Sequence, residues 1–139
     1  MTRFGSSPAT LSIILAAILT SACGSSRQLQ SVSLSPAAAD AKNYSNGQVP
    51  FTATGTFSKP PSPSPLTSKD VLWCAGLTIG NCPNNINPGA TVDQNGVAQC
   101  EPGFVGTTNV MAGTPGPSTV NPDGGQPLKV FGSAPLTCP

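Results

Sequence analysis

Four cysteines, Cys74, Cys82, Cys100 and Cys138, are the residues best suited to chemistry in the body of this chain. Thiols in such a group can bind zinc, pair as disulfides, or stay free for intermolecular bonds. A structural zinc site needs ligands paired two to four residues apart, whereas these cysteines are separated by 8, 18 and 38 residues with no histidine to complete a site. In an exported chain, which the N-terminus described below implies, an even count reads as two disulfides with three connectivities open. Loop length favours Cys74–Cys82 with Cys100–Cys138, since the first closes its own short loop and the second pins the chain end. A Cys74–Cys100 bridge between neighbouring strand ends is the main competitor. Each bridge would stabilise the fold by about 2–4 kcal/mol.

Other reactive groups are scarce. The absence of histidine excludes His-based triads, general bases and metal ligands. Glu101, the only glutamate, could face Asp93 across a hairpin as the carboxylate pair that glycoside hydrolysis requires. The plainer reading has Asp93 starting a turn and Glu101 ending a strand, both solvated. Asp93-Gln-Asn95-Gly96 echoes the first half of a calcium loop but lacks the acidic ligands downstream. The sequon at Asn43-Tyr-Ser45 matters only in a glycosylating secretory pathway. No enzyme, cofactor or metal site is expected.

Arg3 is the only charge before residue 27, and Leu11-Ser-Ile-Ile-Leu-Ala-Ala-Ile-Leu19 is an apolar stretch. It is too short to span a bilayer and of the right length for a signal-peptide core. It runs into Leu19-Thr20-Ser21-Ala22-Cys23, which resembles the lipobox of bacterial lipoproteins. The resemblance implies a helical signal peptide over residues 1–22, removed on export, and acylation of Cys23 as the new N-terminus. Plain secretion and an uncleaved anchor are the alternatives. Each buried CH₂ of an acyl chain contributes about 0.8 kcal/mol, so a multiply acylated cysteine anchors durably. The partner implied is membrane lipid. Gly24, standing where an aspartate would signal retention, implies the outer membrane of a Gram-negative cell. Residues 23–30 read as a flexible tether and 31–139 as one domain.

After Cys23 the chain carries five positive and five negative side chains, with no basic run. That excludes a nucleic-acid partner, which needs a positive patch, and electrostatic capture of anionic polymers. With 16 prolines and 15 glycines, mostly after Cys23, no window there can hold a helical stripe. Short strands between turns are expected instead. Val32 and Leu34 alternate with serines as an edge strand. Val49, Phe51, Ala53, Gly55 and Phe57 alternate with polar residues over the longest period-2 run. Residues 59–68 read as a proline-stiffened crossover. Val71, Trp73 and Ala75 read as a central strand with Trp73 as core anchor. Asn95-Gly96 joins the hairpin of residues 90–93 and 97–100. Thr108, Val110 and Ala112 mark another strand, and 128–131 with 134–138 supply the last. Residues 113–127 read as structureless.

Several of these stretches together resemble the bacterial immunoglobulin-like domains of intimin and invasin stalks. They are Val32-Ser-Leu-Ser-Pro36, Asn46-Gly-Gln48 with Phe51-Thr-Ala-Thr54, Val71-Leu-Trp73, Ala90-Thr-Val-Asp93 with Asn95-Gly-Val97, and Gly106-Thr-Thr-Asn-Val110-Met-Ala112. The resemblance covers roughly residues 30–112 and implies an all-β, immunoglobulin-like sandwich of about seven strands with Phe51, Trp73 and Val110 in its core. In such a sandwich the third, fifth and seventh strands run the same way, which would gather all four cysteines at one pole.

These features lead to a membrane-anchored envelope lipoprotein that displays one domain as a non-enzymatic binding or adhesion module, for an envelope protein or glycan. The alternative is a structural envelope lipoprotein without a dedicated ligand. An exposed apolar patch joining some of Tyr44, Phe57, Phe104 and Phe131 would favour binding.

Overall fold

The computed structural model describes residues 26–84, 89–117 and 124–139. The signal helix expected over 1–22 and the lipidation site at Cys23 lie outside the described residues. The described chain is all-β. Its strands are β1 (Leu29–Ser35), β2 (Ala39–Asp40), β3 (Gln48–Pro50), β4 (Thr52–Phe57), β5 (Ser64–Leu66), β6 (Leu72–Gly76), β7 (Asn81–Cys82), β8 (Ala90–Val92), β9 (Val97–Cys100), β10 (Gly106–Pro115) and β11 (Gln126–Cys138). The helical pieces among the described residues are two single 3-10 turns, at Ala41–Asn43 and Ser45–Gly47. β1 begins two residues before the expected domain boundary at 31.

The strands form three hydrogen-bonded groups, ordered β1-β4-β5, β3-β9-β8 and β2-β11-β10-β6, with β7 on the first residues of β11. All pairings are antiparallel except the short one between β2 and β11. The period-2 run at 49–57 is one extended segment divided between two groups. Its first half pairs with β9 and its second half with β1 and β5, and Phe51 is the residue between. The alternation read from the sequence holds through this change, because Val49, Phe51, Ala53 and Gly55 are all buried.

Both smaller groups cover one face of the largest. Val49, Phe51, Ala90 and Ala98 pack with Val110, Ala134, Leu136 and Cys138, while Val32, Ala53 and Leu66 pack with Val71 and Ala112. Val110 and Ala112 are two apart on β10 and so point the same way. Phe51 and Val110 are 1% and 0% exposed, as a core role requires. β1 approaches the layer it covers so closely that a Cβ on Gly132 would lie 2.5 Å from the Val32 carbonyl oxygen. Glycine at 132 therefore permits that contact rather than interrupting the last strand, and β11 runs unbroken for 13 residues.

Four expectations need correction. Trp73 is half-buried, touching the rims of both clusters rather than anchoring either, because β6 is the edge of its sheet and not a central strand. Residues 64–66 form a strand, and Pro65 is tolerated there because β5 lies at a sheet edge. The segment 113–127 is invaded from both sides by β10 and β11, which stay paired to Pro115 and Leu128. The strand total exceeds seven because 48–57 divides and the pieces at 39–40, 64–66 and 81–82 each find a partner.

Truncating the buried anchor should cost more than truncating the rim residue. Phe51→Ala is expected to lose about 3–5 kcal/mol in urea unfolding, and Trp73→Ala clearly less. Equal losses would show that Trp73 belongs to the core after all.

Candidate functional site

The two disulfides are Cys74–Cys82 and Cys100–Cys138. They do not share one pole. Cys74 lies opposite Met111 on β10, and Cys138 lies opposite Gly106. Those levels are five residues apart, about 17 Å along the strand, and an odd number puts the side chains on opposite faces. Cys138 is in the core under Val49 and Leu136, whereas Cys82 packs on the outer face with Met111 and Leu128. The strand directions are as expected, since β6 and β11 both run antiparallel to β10. The length of β11, which overshoots β6, is what separates the bridges.

The carboxylates are also kept apart. Asp93 closes one end of the β8–β9 hairpin, where its N–H donates to the Val97 carbonyl, and Glu101 lies at the other end with its N–H on Gly89. Four residues of strand, about 14 Å, separate the two levels, beyond the spacing that glycoside hydrolysis uses. Asp93 instead organises its own turn. Its Oδ1 accepts from the backbone N–H groups of Val97 and Asn95, each at 2.8 Å, and Oδ2 accepts a longer bond from Asn95 Nδ2 at 3.4 Å. The Val97 N–H, more than any other donor, holds the Asp93 pKa below its ordinary 3.8.

The four partly exposed aromatic residues do not form one patch, for they are divided among three clusters. Tyr44 and Phe104 flank the main core, Phe131 lies on the outer face beside Met111, and Phe57 lies under the Arg27 guanidinium at 3.3 Å. That guanidinium also donates to the Lys59 and Pro61 carbonyls, which fixes the start of the domain to the proline-rich loop.

One concave feature among the described residues that combines an aromatic ring with unused polar groups is a groove around Trp73. Two clefts, about 290 and 160 Å³, share Ser68, Trp73 and Gln94. One wall is the loop at 67–71, where Asp70 accepts from both the backbone N–H and the hydroxyl of Thr67 at 2.8 Å. The other wall is the Asp93–Val97 turn. Gly96, at φ +81°, ends that turn and has its N–H on the Asp93 carbonyl. A Cβ there would lie 2.9 Å from Trp73 Cζ2, so only glycine lets the turn press against the indole. The Gly96 carbonyl then accepts from Phe51 N–H at 2.9 Å, which ties the turn to the core. Ser68, Trp73 and Gln94 make no side-chain hydrogen bond to another described residue. The local alternation points Trp73 inward and marks neither Ser68 nor Gln94, since nothing local signals that two distant turns will flank one ring.

Among the described residues no group of three or more His, Cys, Asp or Glu side chains could hold a metal, and no helix is long and apolar enough to cross a membrane. A scan against protein-family models finds no match, and no curated protein matches the chain. The architecture agrees with an immunoglobulin-like sandwich in general terms, as an all-β domain of several antiparallel sheets.

Both walls of the groove depend on ionised aspartates. The Thr67 and Val97 donors hold Asp70 and Asp93 below 3.8, so the stability they confer is complete above that pH and is lost as pH falls through the lower folded-state values. Acid titration should therefore lower the melting temperature and shift the emission of Trp73, the chain's only tryptophan. Asp93→Asn should have a lower melting temperature at neutral pH and a shallower acid dependence. An unchanged slope would mean that the turn does not rely on the carboxylate.

Proposed function

We propose that this chain is an exported lipoprotein, anchored through acylated Cys23, that presents one immunoglobulin-like domain at the cell envelope as a non-enzymatic binding module. Strand connectivity supports the domain type. β1, β4, β3, β9 and β8 belong to the covering layer, which divides at Phe51, and β6, β10 and β11 to the other. Such a division supports an immunoglobulin-like sandwich. The disulfides fit an extracytoplasmic compartment, where oxidising conditions maintain such bonds.

The observation that carries the binding role is the half-buried indole of Trp73, flanked by two turns that carry unengaged polar side chains. An aromatic ring with a few convergent hydrogen-bonding groups in one concave site is the combination that small-ligand sites use. Anchoring rests on the lipobox resemblance and on the short connection to the domain. Three residues separate Cys23 from Arg27, a reach of at most about 14 Å, so the domain would stay close to the bilayer.

The anchor is tested directly. Cys23→Ser should abolish metabolic labelling with a fatty acid and move the protein from the membrane to the soluble fraction of the envelope. Labelling that persists in the variant would refute acylation at Cys23.

A further inference from the structure

We propose that the Trp73 groove binds a neutral saccharide, with a pyranose ring on the indole and its hydroxyls on Ser68, Gln94 and Asp93. The proposal deepens the binding-module reading and rests on it. A pyranose ring has an apolar face of C–H groups and a rim of hydroxyls that both donate and accept. The groove offers the complement of each. Trp73 supplies an aromatic surface, already fixed in orientation by Gly96, so that little freedom is lost on binding. The indole N–H, the Ser68 hydroxyl and the Gln94 amide are free donors or acceptors at its margin. Asp93 adds an anionic acceptor, because its Oδ2 is engaged only by the 3.4 Å bond from Asn95 and keeps lone pairs for a hydroxyl.

Other ligand classes fit less well. No lysine or arginine lines either cleft, and the one charged lining residue is Asp93, so a phosphate or carboxylate ligand would meet repulsion without a counter-charge. A proline-rich peptide needs several aromatic ridges along its groove. Here Trp73 is the single accessible ring, since Phe51 at the bottom is 1% exposed. An apolar peptide would leave Ser68 and Gln94 without partners, a cost that the saccharide avoids.

The sole tryptophan makes the test specific to the site. The full chain, in a detergent without a sugar headgroup, is titrated with cellohexaose, maltohexaose and chitohexaose while Trp73 emission and its quenching by acrylamide are followed. At least one of the three should give a saturable shift with protection from the quencher. Gln94→Ala, an exposed position whose loss should not disturb the fold, should raise that Kd about tenfold, as expected for one lost hydrogen bond, and Ser68→Ala should act similarly. Tyr44→Ala, at a different surface cleft, should leave it unchanged. No response to any of the three, or a response that both groove variants leave intact, overturns the proposal. A response only to a proline-rich decapeptide also overturns it, and assigns the groove to a peptide. None of these outcomes bears on acylation of Cys23, whose labelling is read separately.

Discussion

Phe51 donates its backbone N–H to the Gly96 carbonyl at 2.9 Å, at the residue where the segment 48–57 leaves one strand partner for another. Its ring is buried between the covering layer and the main sheet, which makes the change of partner energetically tolerable. The amide that would otherwise lack a ladder partner is satisfied by the hairpin turn. Much of the rest follows from this one residue. The turn is drawn over β6, Gly96 contacts the indole of Trp73, and the groove acquires its second wall. Loss of the Phe51 ring would therefore disturb the core and the groove together.

The core around Phe51 is built largely from small side chains. Ala41, Ala53, Ala75, Ala90, Ala98, Ala112 and Ala134 are buried, with Val49, Val110, Leu136 and Met111 supplying most of the larger volume. Alanine buries little apolar area, so each residue contributes less to the hydrophobic term than a valine or leucine would. The two disulfides offset part of that shortfall, by about 2.5 and 4 kcal/mol for loops of 8 and 38 residues on the chain-entropy account. Their positions divide the work. Cys100–Cys138 secures the end of β11 within the core, and Cys74–Cys82 fastens β7 and its loop over the outer face at Met111.

Charge has a local role in this molecule. With few charged residues available, aspartates serve as acceptors inside turns: Asp70 for Thr67, Asp93 for Val97 and Asn95, and Asp40 for the Lys42 N–H and ammonium. Arg27 has a comparable function, covering Phe57 and binding carbonyls of the proline-rich loop. Such groups hold loops in shape without creating a field, and so leave the groove near Trp73 suited to an uncharged ligand.

The strands at 90–92 and 97–100, and the central parts of those at 29–35 and 106–115, could be read from the sequence, because period-2 alternation and Asn-Gly turns are local signals that neighbouring residues already encode. Even so, Asn95-Gly96 closes its hairpin with a positive φ at Gly96 alone, where a turn positive at both residues is also open to Asn-Gly. Burial of Phe51 and Val110 was legible for the same reason. Edge or central status was not: whether β6 has one neighbour or two depends on strands far away in sequence, and that decided the partial exposure of Trp73. The strand at 64–66 has no signal of its own and exists because β4 offers a free edge to pair with. The separation of the two disulfides depended on the length of β11 and the parity of its register, quantities fixed only when β10 and β11 pair. The groove required two distant turns to meet at one ring, a relation between residues 67–71, 73 and 93–96 that arises from tertiary packing alone.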